Sequence, residues 1–528
     1  MFRAAFRLSL VSVELIALCI VTPTKSQAQL TAIWQDTFSL PGYGVHPQQL
    51  RIDRTGRVYA AGEAVGTVGE KAVTLVCYDS LGVELWSTYY PCGLVENCDA
   101  TDLEIDSSGN SYLSGNVGAY YNPVASFVMS YDPSGQVRWQ RGDTMQCGSI
   151  DRITAEAIAL DAAGSLYMVG TVECDTLPFP NWNLVLTKLT QNGVFVWRQS
   201  WINPVGYFAT GYDVAVGPDG NVYATGYADP STDPHEYGTP LTLSYDSSGT
   251  IRWFNILRLT GDIIIETGRF VMVDDDVTVC VAANVREIFQ FAEHATVLRY
   301  SSTGQLFCMD ELGPSGAYNI RPTSMFVSSN GQAFIAADLS WGTSGACLSG
   351  ASEADCDTNW ADLDSCAFNV NTFKIGIAGD AYDNIYAWSG TSVRGLTLTG
   401  TGIWEDFVSD PVHEVVAGTD RTIVISSQAG NSTTGFAVTI AKHMICACPC
   451  IGDPFCDGTI YNAVDVVTII NVAFRGASAT NSSYCPFLST DVDCNGATTA
   501  VDVVRVVDVA FRGANPSGFN CFTCPADP

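Results

Sequence analysis

The chain has 528 residues, 47% hydrophobic and only 15% charged, with 48 glycines. That is the composition of a turn-rich globular protein with room for more than one hydrophobic core. Its 25 lysines and arginines face 55 acidic residues, a formal charge of -30, so the surface repels phosphate backbones and anionic lipid and excludes nucleic-acid and peripheral membrane binding.

In chain order, the first predicted element is a secretory signal peptide, residues 1–28. Arg3 and Arg7 form a basic start, Leu8 to Val21 is apolar but short for a bilayer span, and Ser26-Gln27-Ala28 supplies small residues for cleavage after Ala28. Cys19 is preceded by Leu18, which does not suit a lipoprotein anchor. No later apolar stretch approaches the length of a span, so the expectation is a secreted, extracellular or cell-surface protein. Nineteen cysteines fit an oxidising compartment. Without Cys19, ten lie between Cys77 and Cys366 and eight between Cys446 and Cys524, both even numbers. Cys92 with Cys98, Cys147 with Cys174 and Cys280 with Cys308 are candidate pairs, although spacing does not fix connectivity.

Residues 29–443 carry an internal repeat. The phrase from Ile52 to Gly62 returns at Ile105 to Gly115, Leu160 to Gly170 and Val216 to Gly226. Weaker copies run from Val327 to Ala337 and near Val273 to Ala283, Ile377 to Trp388 and Ala417 to Ser426. A second phrase, Gly-x-x-x-Trp, follows: Gly82/Trp86, Gly135/Trp139, Gly193/Trp197, Gly249/Trp253 and Gly400/Trp404, with Cys308 in the Trp place after Gly304. Alternating apolar and polar residues make each phrase two strands, and Asp-x-x-Gly supplies the tight turn between them. Four strands per unit cannot bury both sheet faces alone, so units must stack, and stacking radially makes an all-β propeller. Eight units are counted, with seven blades as the alternative because the sixth is irregular. Gly342 to Cys366 reads as a cysteine-pinned insertion. The last unit lacks its own fourth strand, and Thr31 to Gln35 is the expected replacement that closes the ring. The tryptophans are expected to pack between blades.

The run Asp219 to Tyr227, with Tyr245-Asp246-Ser247-Ser248-Gly249 and Trp253, resembles the SBBP-type bacterial β-propeller repeat over most of residues 45 to 440. The resemblance implies a fold and a secreted setting. It carries no shared catalytic residues.

After a Cys-rich linker, residues 444–450, the composition changes. Residues 451–528 contain a duplicated motif: Cys456-Asp457-Gly458, Val464 to Val467 and Val472 to Gly476 in one half; Cys494-Asn495-Gly496, Val501 to Val504 and Val509 to Gly513 in the other. Asp491, Asp493, Asn495, Thr499 and Asp502 fall at positions 1, 3, 5, 9 and 12 of a calcium loop that turns at Gly496. In the first half Asp453, Asp457 and Asp465 are the candidate ligands, but Phe455 replaces the acid at position 3 and the loop is one residue longer. Zinc at the cysteine cluster is the alternative, although no histidine-rich set accompanies it. Paired calcium loops, each leading into an α-helix, resemble a type I dockerin over residues 451 to 515. The resemblance implies docking to a cohesin-like or cell-surface protein through Thr468, Asn471 and Arg475 and their counterparts Arg505, Asp508 and Arg512. The extra cysteines depart from that family.

No catalytic motif emerges. The adjacent cysteines of quinoprotein propellers and the Gly-x-x-Trp of the sialidase Asp box are missing, and the five histidines, His46, His235, His294, His413 and His443, show no ligand spacing. Asp213, Glu156, Glu104 and Glu266 fall near predicted inner strands, where a central-channel site draws its residues. The expected function is a binding or scaffold protein recognising protein or polysaccharide, docked through its calcium module. The alternative is a polysaccharide-active hydrolase or lyase carrying the same tag.

Overall fold

A computed structural model describes residues 30–445 apart from 95–96, 119–124, 144–151, 175–180, 205–207, 230–237, 258–262, 288–291, 313–319, 330, 342–343, 353–359, 363–374, 381–382, 397–401, 419–421 and 432–434. Beyond 445 it describes only residues 467, 470, 503, 504 and 507. The paired calcium loops and the six proposed docking residues therefore lie outside the described residues, as does the signal peptide.

From Leu30 to Ile445 every element is a β-strand, and the strands pair into eight sheets. Taken in order of their inner strands, these are blades 1 to 8. The inner strands are Tyr43–Ile52, Asn97–Ile105, Arg152–Ile153 continued by Ala157–Leu160, Ala209–Val216, Ile263–Val273, Ile320–Val327, Ile375–Gly379 and Val412–Ala417. Each touches the next, and Tyr43–Ile52 touches Val412–Ala417, so the ring is closed. The closing strand is Leu30–Phe38, which pairs antiparallel with Gly435–Ile445 as the fourth strand of blade 8. That is the N-terminal replacement expected from the sequence.

The core lies between blades. Leu184, Leu186 and Trp201 of blade 3 pack with Ala209, Val222 and Leu243 of blade 4, and blades 8 and 1 share Val424, Ile440, Leu50 and Val76. Middle strands are accordingly buried on both faces, as in Val58–Gly66 and Thr239–Tyr245, whereas the edge strand Glu84–Gly93 alternates. Some of the buried hydroxyls in the middle strands bond the backbone: Thr74 Oγ1 donates to the Gly62 carbonyl and Thr225 Oγ1 to that of Leu241.

Two features of the repeat have direct structural causes. Most inner strands carry a β-bulge, with register shifts at Pro47/Gln49, Ala100/Asp102, Gly211/Asp213, Pro322/Ser324 and Val412/Glu414. The repeat glycine of the second strand faces the bulge, where a Cβ would sit 2.5 Å from the His46 carbonyl oxygen at Gly62 and 1.8 Å from that of Thr210 at Gly226. The tryptophans of the first four Gly-x-x-x-Trp phrases reach across to the hairpin turn of the next blade. Trp86 Nε1 donates to Pro133 O at 3.1 Å, Trp139 to Gln191 O at 3.0 Å, Trp197 to Ser247 O at 3.1 Å and Trp253 to Ser302 O at 3.0 Å. Trp34 on the closing strand makes the same bond to Ser80 O at 3.2 Å. The turn glycines Gly82, Gly135, Gly193, Gly249 and Gly304 have φ between 74° and 87° and lie against these indoles, with no space for a side chain.

Two expectations are corrected. Gly342 to Cys366 is not simply an insertion: Ser344–Ser352 and Trp360–Asp362 are the third and fourth strands of blade 6. Its Gly, Ala and Ser content hides the apolar alternation, and backbone pairing alone defines it. Cys280 does not pair with Cys308: it is a free, buried thiol, as is Cys77, and it accepts a hydrogen bond from Arg299. Cys308 is disulfide-bonded elsewhere, Cys174 is also disulfide-bonded, and Cys147 lies outside the described residues. The Cys92–Cys98 disulfide forms as expected, spanning the connection from blade 1 to blade 2.

Trp34→Ala is expected to lower stability by about 3 kcal/mol, since it removes a large packed indole at the ring seam, and Trp34→Phe by about 1 kcal/mol through the lost hydrogen bond. Urea denaturation of both variants checks this; equal losses would mean that packing at the seam contributes little.

Candidate functional site in the central channel

After five of the bulges, in blades 1, 2, 4, 6 and 8, the following residue links its blade to the next. Gln49 Nε2 donates to Thr101 O at 2.7 Å. Asp102 accepts the Ile158 backbone N–H at 3.0 Å, Asp213 that of Val271 at 2.7 Å, and Ser324 Oγ that of Ile377 at 2.6 Å. Glu414 of blade 8 accepts from Arg51 of blade 1 at 3.1 Å.

Arg51 is the hub. Its guanidinium lies 2.8 Å from Asp102, 3.1 Å from Glu414 and 3.8 Å from Glu104, joining blades 8, 1 and 2. Burial works against its charge, but these three carboxylates outweigh it and hold Arg51 firmly protonated. The carboxyls themselves are pushed upward. Burial raises Glu104 to about 7, with Asp102 adding repulsion against the pull of Arg51. Burial also raises Asp213 to about 7, only partly offset by the Val271 N–H. Asp102 is raised by burial despite Arg51 and two backbone donors. Further along the wall, burial raises Glu156, with Asp99 adding repulsion and Arg269 opposing it, and it raises Asp99 beside Glu63.

Of the acids expected at the channel, Glu104 and Asp213 thus belong to one electrostatic cluster through Asp102 and Arg51, and Glu156 lies in a second with Asp99. Glu266 is on the inner strand of blade 5, its side chain outside the described residues. Sequence reasoning missed Arg51, Asp102 and Glu414. The signal was available: Gln49, Asp102 and Asp213 each stand three residues before the start of their repeat phrase. Among the histidines, His46 Nδ1 lies 2.6 Å from Gln428 Nε2 and stacks beside Phe436, across the seam of the ring.

Chemically, the cluster is a charge-balanced arginine among acids, of which Asp102 and Asp213 each commit an oxygen to a backbone donor of the next blade and Glu414 bonds Arg51 itself. Glu104 is the exception, with 33% of its side chain exposed and a carboxyl that exchanges its proton near neutrality. Among the described residues no group of three or more His, Cys, Asp or Glu side chains is arranged to hold a metal ion, and no helix is long and apolar enough to cross a membrane.

No family model and no curated protein matches the chain. Among solved structures it is similar to an ulvan lyase from a new polysaccharide lyase family and to a second polysaccharide lyase. Each is 10% identical with a TM-score of 0.44, over 76% of this chain and 95% and 90% of theirs. It is also similar to regucalcin, a calcium-binding protein from Agrobacterium tumefaciens, at 12% identity and a TM-score of 0.28, over 55% of this chain and 90% of that one. Likeness at this level transfers no activity.

The linkage sign for the channel is definite. Glu104 and Asp213 keep their protons to about pH 7 in the folded ring but ionise near pH 4 when unfolded. The folded state binds more protons between these values, so their contribution to stability falls as pH rises from about 4 to about 7. Glu104→Gln is expected to flatten that slope. Arg51→Met, which strands three carboxylates, is expected to cost about 3 kcal/mol at pH 8 and less at pH 5. Unfolding midpoints at the two pH values check both; an equal loss at each would refute the cluster's coupling to Arg51.

Proposed function

We propose that the protein is a secreted binding or scaffold protein whose propeller recognises a polysaccharide or another protein, and whose C-terminal module docks it, with calcium, to a cohesin-like or cell-surface partner. The observation that carries this reading is the division of labour between the two ends of the blades. At one end the hairpin turns are uniform: 53–57, 79–83, 106–110, 132–136, 161–165, 190–194, 217–221 and 246–250 each join two strands. At the other end the connections vary in length, from 94–96 to 144–151 and 229–238, and the Cys92–Cys98 disulfide lies there. Variable, cross-linked connections on a rigid ring are where recognition develops in repeat scaffolds. The channel acids, by contrast, are occupied in joining blades.

A second reading, a polysaccharide lyase or hydrolase, draws support from Glu104, a partly exposed carboxyl poised near neutral pH as a general acid or base needs to be. Retention on immobilised polysaccharides, measured together with release of reducing ends and of unsaturated products, separates the two. The binding reading expects retention without turnover; turnover that disappears in Glu104→Gln would establish the enzyme. For the docking arm, calorimetric calcium titration of the full chain is expected to show binding that Asp491→Ala with Asp493→Ala abolishes. Unchanged heat in that double variant would remove the calcium loop from the proposal.

A further inference from the structure

Away from the channel, a cleft of about 530 Å³ lies between blades 7 and 8, within the range of small-ligand sites. Asp406 and Phe407 enter it from the fourth strand of blade 7, Gly402–Phe407. Gln35 enters from the closing strand, and Ser427, Thr439 and His443 from the middle strands of blade 8. Neither lysine nor arginine is among its lining residues, so nothing there balances a phosphate or a carboxylate. The one lining carboxylate is already committed in part: Asp406 Oδ1 accepts the Phe407 N–H at 2.7 Å and Oδ2 the Leu30 N–H at 2.5 Å. These donors spread its charge and leave lone pairs for further acceptance. Burial holds His443 below the usual histidine range, against the pull of Asp406. Phe407, at 62% exposed, offers an open aromatic face at the margin.

A carboxylate acceptor, an amide and two hydroxyls suit a ligand rich in hydroxyl groups, because each ligand hydroxyl both donates and accepts. An exposed aromatic plate suits a ligand with an apolar C–H face. Sugars combine the two properties. We propose that this cleft is a subsite for a neutral saccharide unit of a polysaccharide ligand, an inference that rests on the polysaccharide-binding reading and gives it a location.

The test is calorimetry on the full-length protein with neutral disaccharides of glucose, xylose, mannose and galactose, and with glucosamine as a cationic control. The expected result is binding of at least one neutral disaccharide. Phe407→Ala should weaken it about tenfold or more, equivalent to about 1.4 kcal/mol; Phe407→Trp should retain it, and both variants should keep the wild-type unfolding midpoint. Absence of binding to every neutral disaccharide, unchanged affinity in Phe407→Ala, or binding confined to glucosamine would each overturn the subsite. Retention on a polysaccharide that survives Phe407→Ala would overturn the subsite while leaving the wider binding reading intact. Loss of all polysaccharide retention by the wild-type chain would remove that reading itself.

Discussion

The structure depends on the indole wedged into the neighbouring blade's turn. A four-stranded sheet with two apolar faces has no stable existence alone, so each blade needs a fixed neighbour. The tryptophan supplies it with packing and direction together. Trp86 stacks at 6.1 Å on Tyr131 of blade 2, meets Tyr59 of its own blade edge-on, and spends its only donor on the Pro133 carbonyl. The arrangement works only if the turn beneath is a glycine at positive φ, since a Cβ on Gly135 would lie 2.6 Å from the Trp86 ring. The two halves of the Gly-x-x-x-Trp phrase therefore serve different interfaces: the glycine receives the preceding blade's indole and the tryptophan enters the following blade.

A second layer of connection surrounds the channel, and it explains the buried charge. An inner strand is hydrogen-bonded on one side only, so its outward N–H groups lack a ladder partner, and the neighbouring blade's side chain satisfies such a group at Ile158, Val271 and Ile377. Aspartate serves at two of these sites and serine at one, so the function is acceptance and not charge. The negative field is a consequence; the upward shifts of Glu104 and Asp213 come first from burial, with repulsion from Asp102 added to it. Arg51 makes this tolerable at the seam, where acids from blades 2 and 8 converge on blade 1.

Much of this was legible in the sequence because the repeat is periodic. The unit count, the turn glycines, the inter-blade tryptophans and the closing strand all follow from copies that can be laid over one another, whereas the Cys92–Cys98 pair is a candidate by its short spacing. Legibility failed where a blade lost the marks without losing the backbone. Blade 6 pairs Ser344–Ser352 into its sheet although that stretch shows no strand alternation, and Cys280 resembled a disulfide partner only by its distance from Cys308. The channel cluster escaped for another reason. Arg51, Asp102 and Glu414 are ordinary surface residue types, and only bulge geometry, which no single phrase reveals, brings them to one place.

The distribution of locks also says where the ring is held most firmly. Among the described residues, five successive interfaces, from blade 8 onto blade 1 through blade 4 onto blade 5, carry the tryptophan wedge. The seam adds Arg51 bridging to Glu414 and the long pairing of Leu30–Phe38 with Gly435–Ile445. Blade 5 has Cys308 instead of tryptophan, and its link to blade 6 passes to the fully buried Arg299, which donates to the Gly331 carbonyl at 2.7 Å. Blades 6 and 7 meet through Ser329, whose backbone N–H and hydroxyl both reach Asp383. These substitutes are polar and geometrically demanding, whereas the indole wedge combines apolar burial with a single bond. The chain ends, where a ring built from one continuous chain must be joined, are thus fastened by an indole wedge as well as by strand pairing.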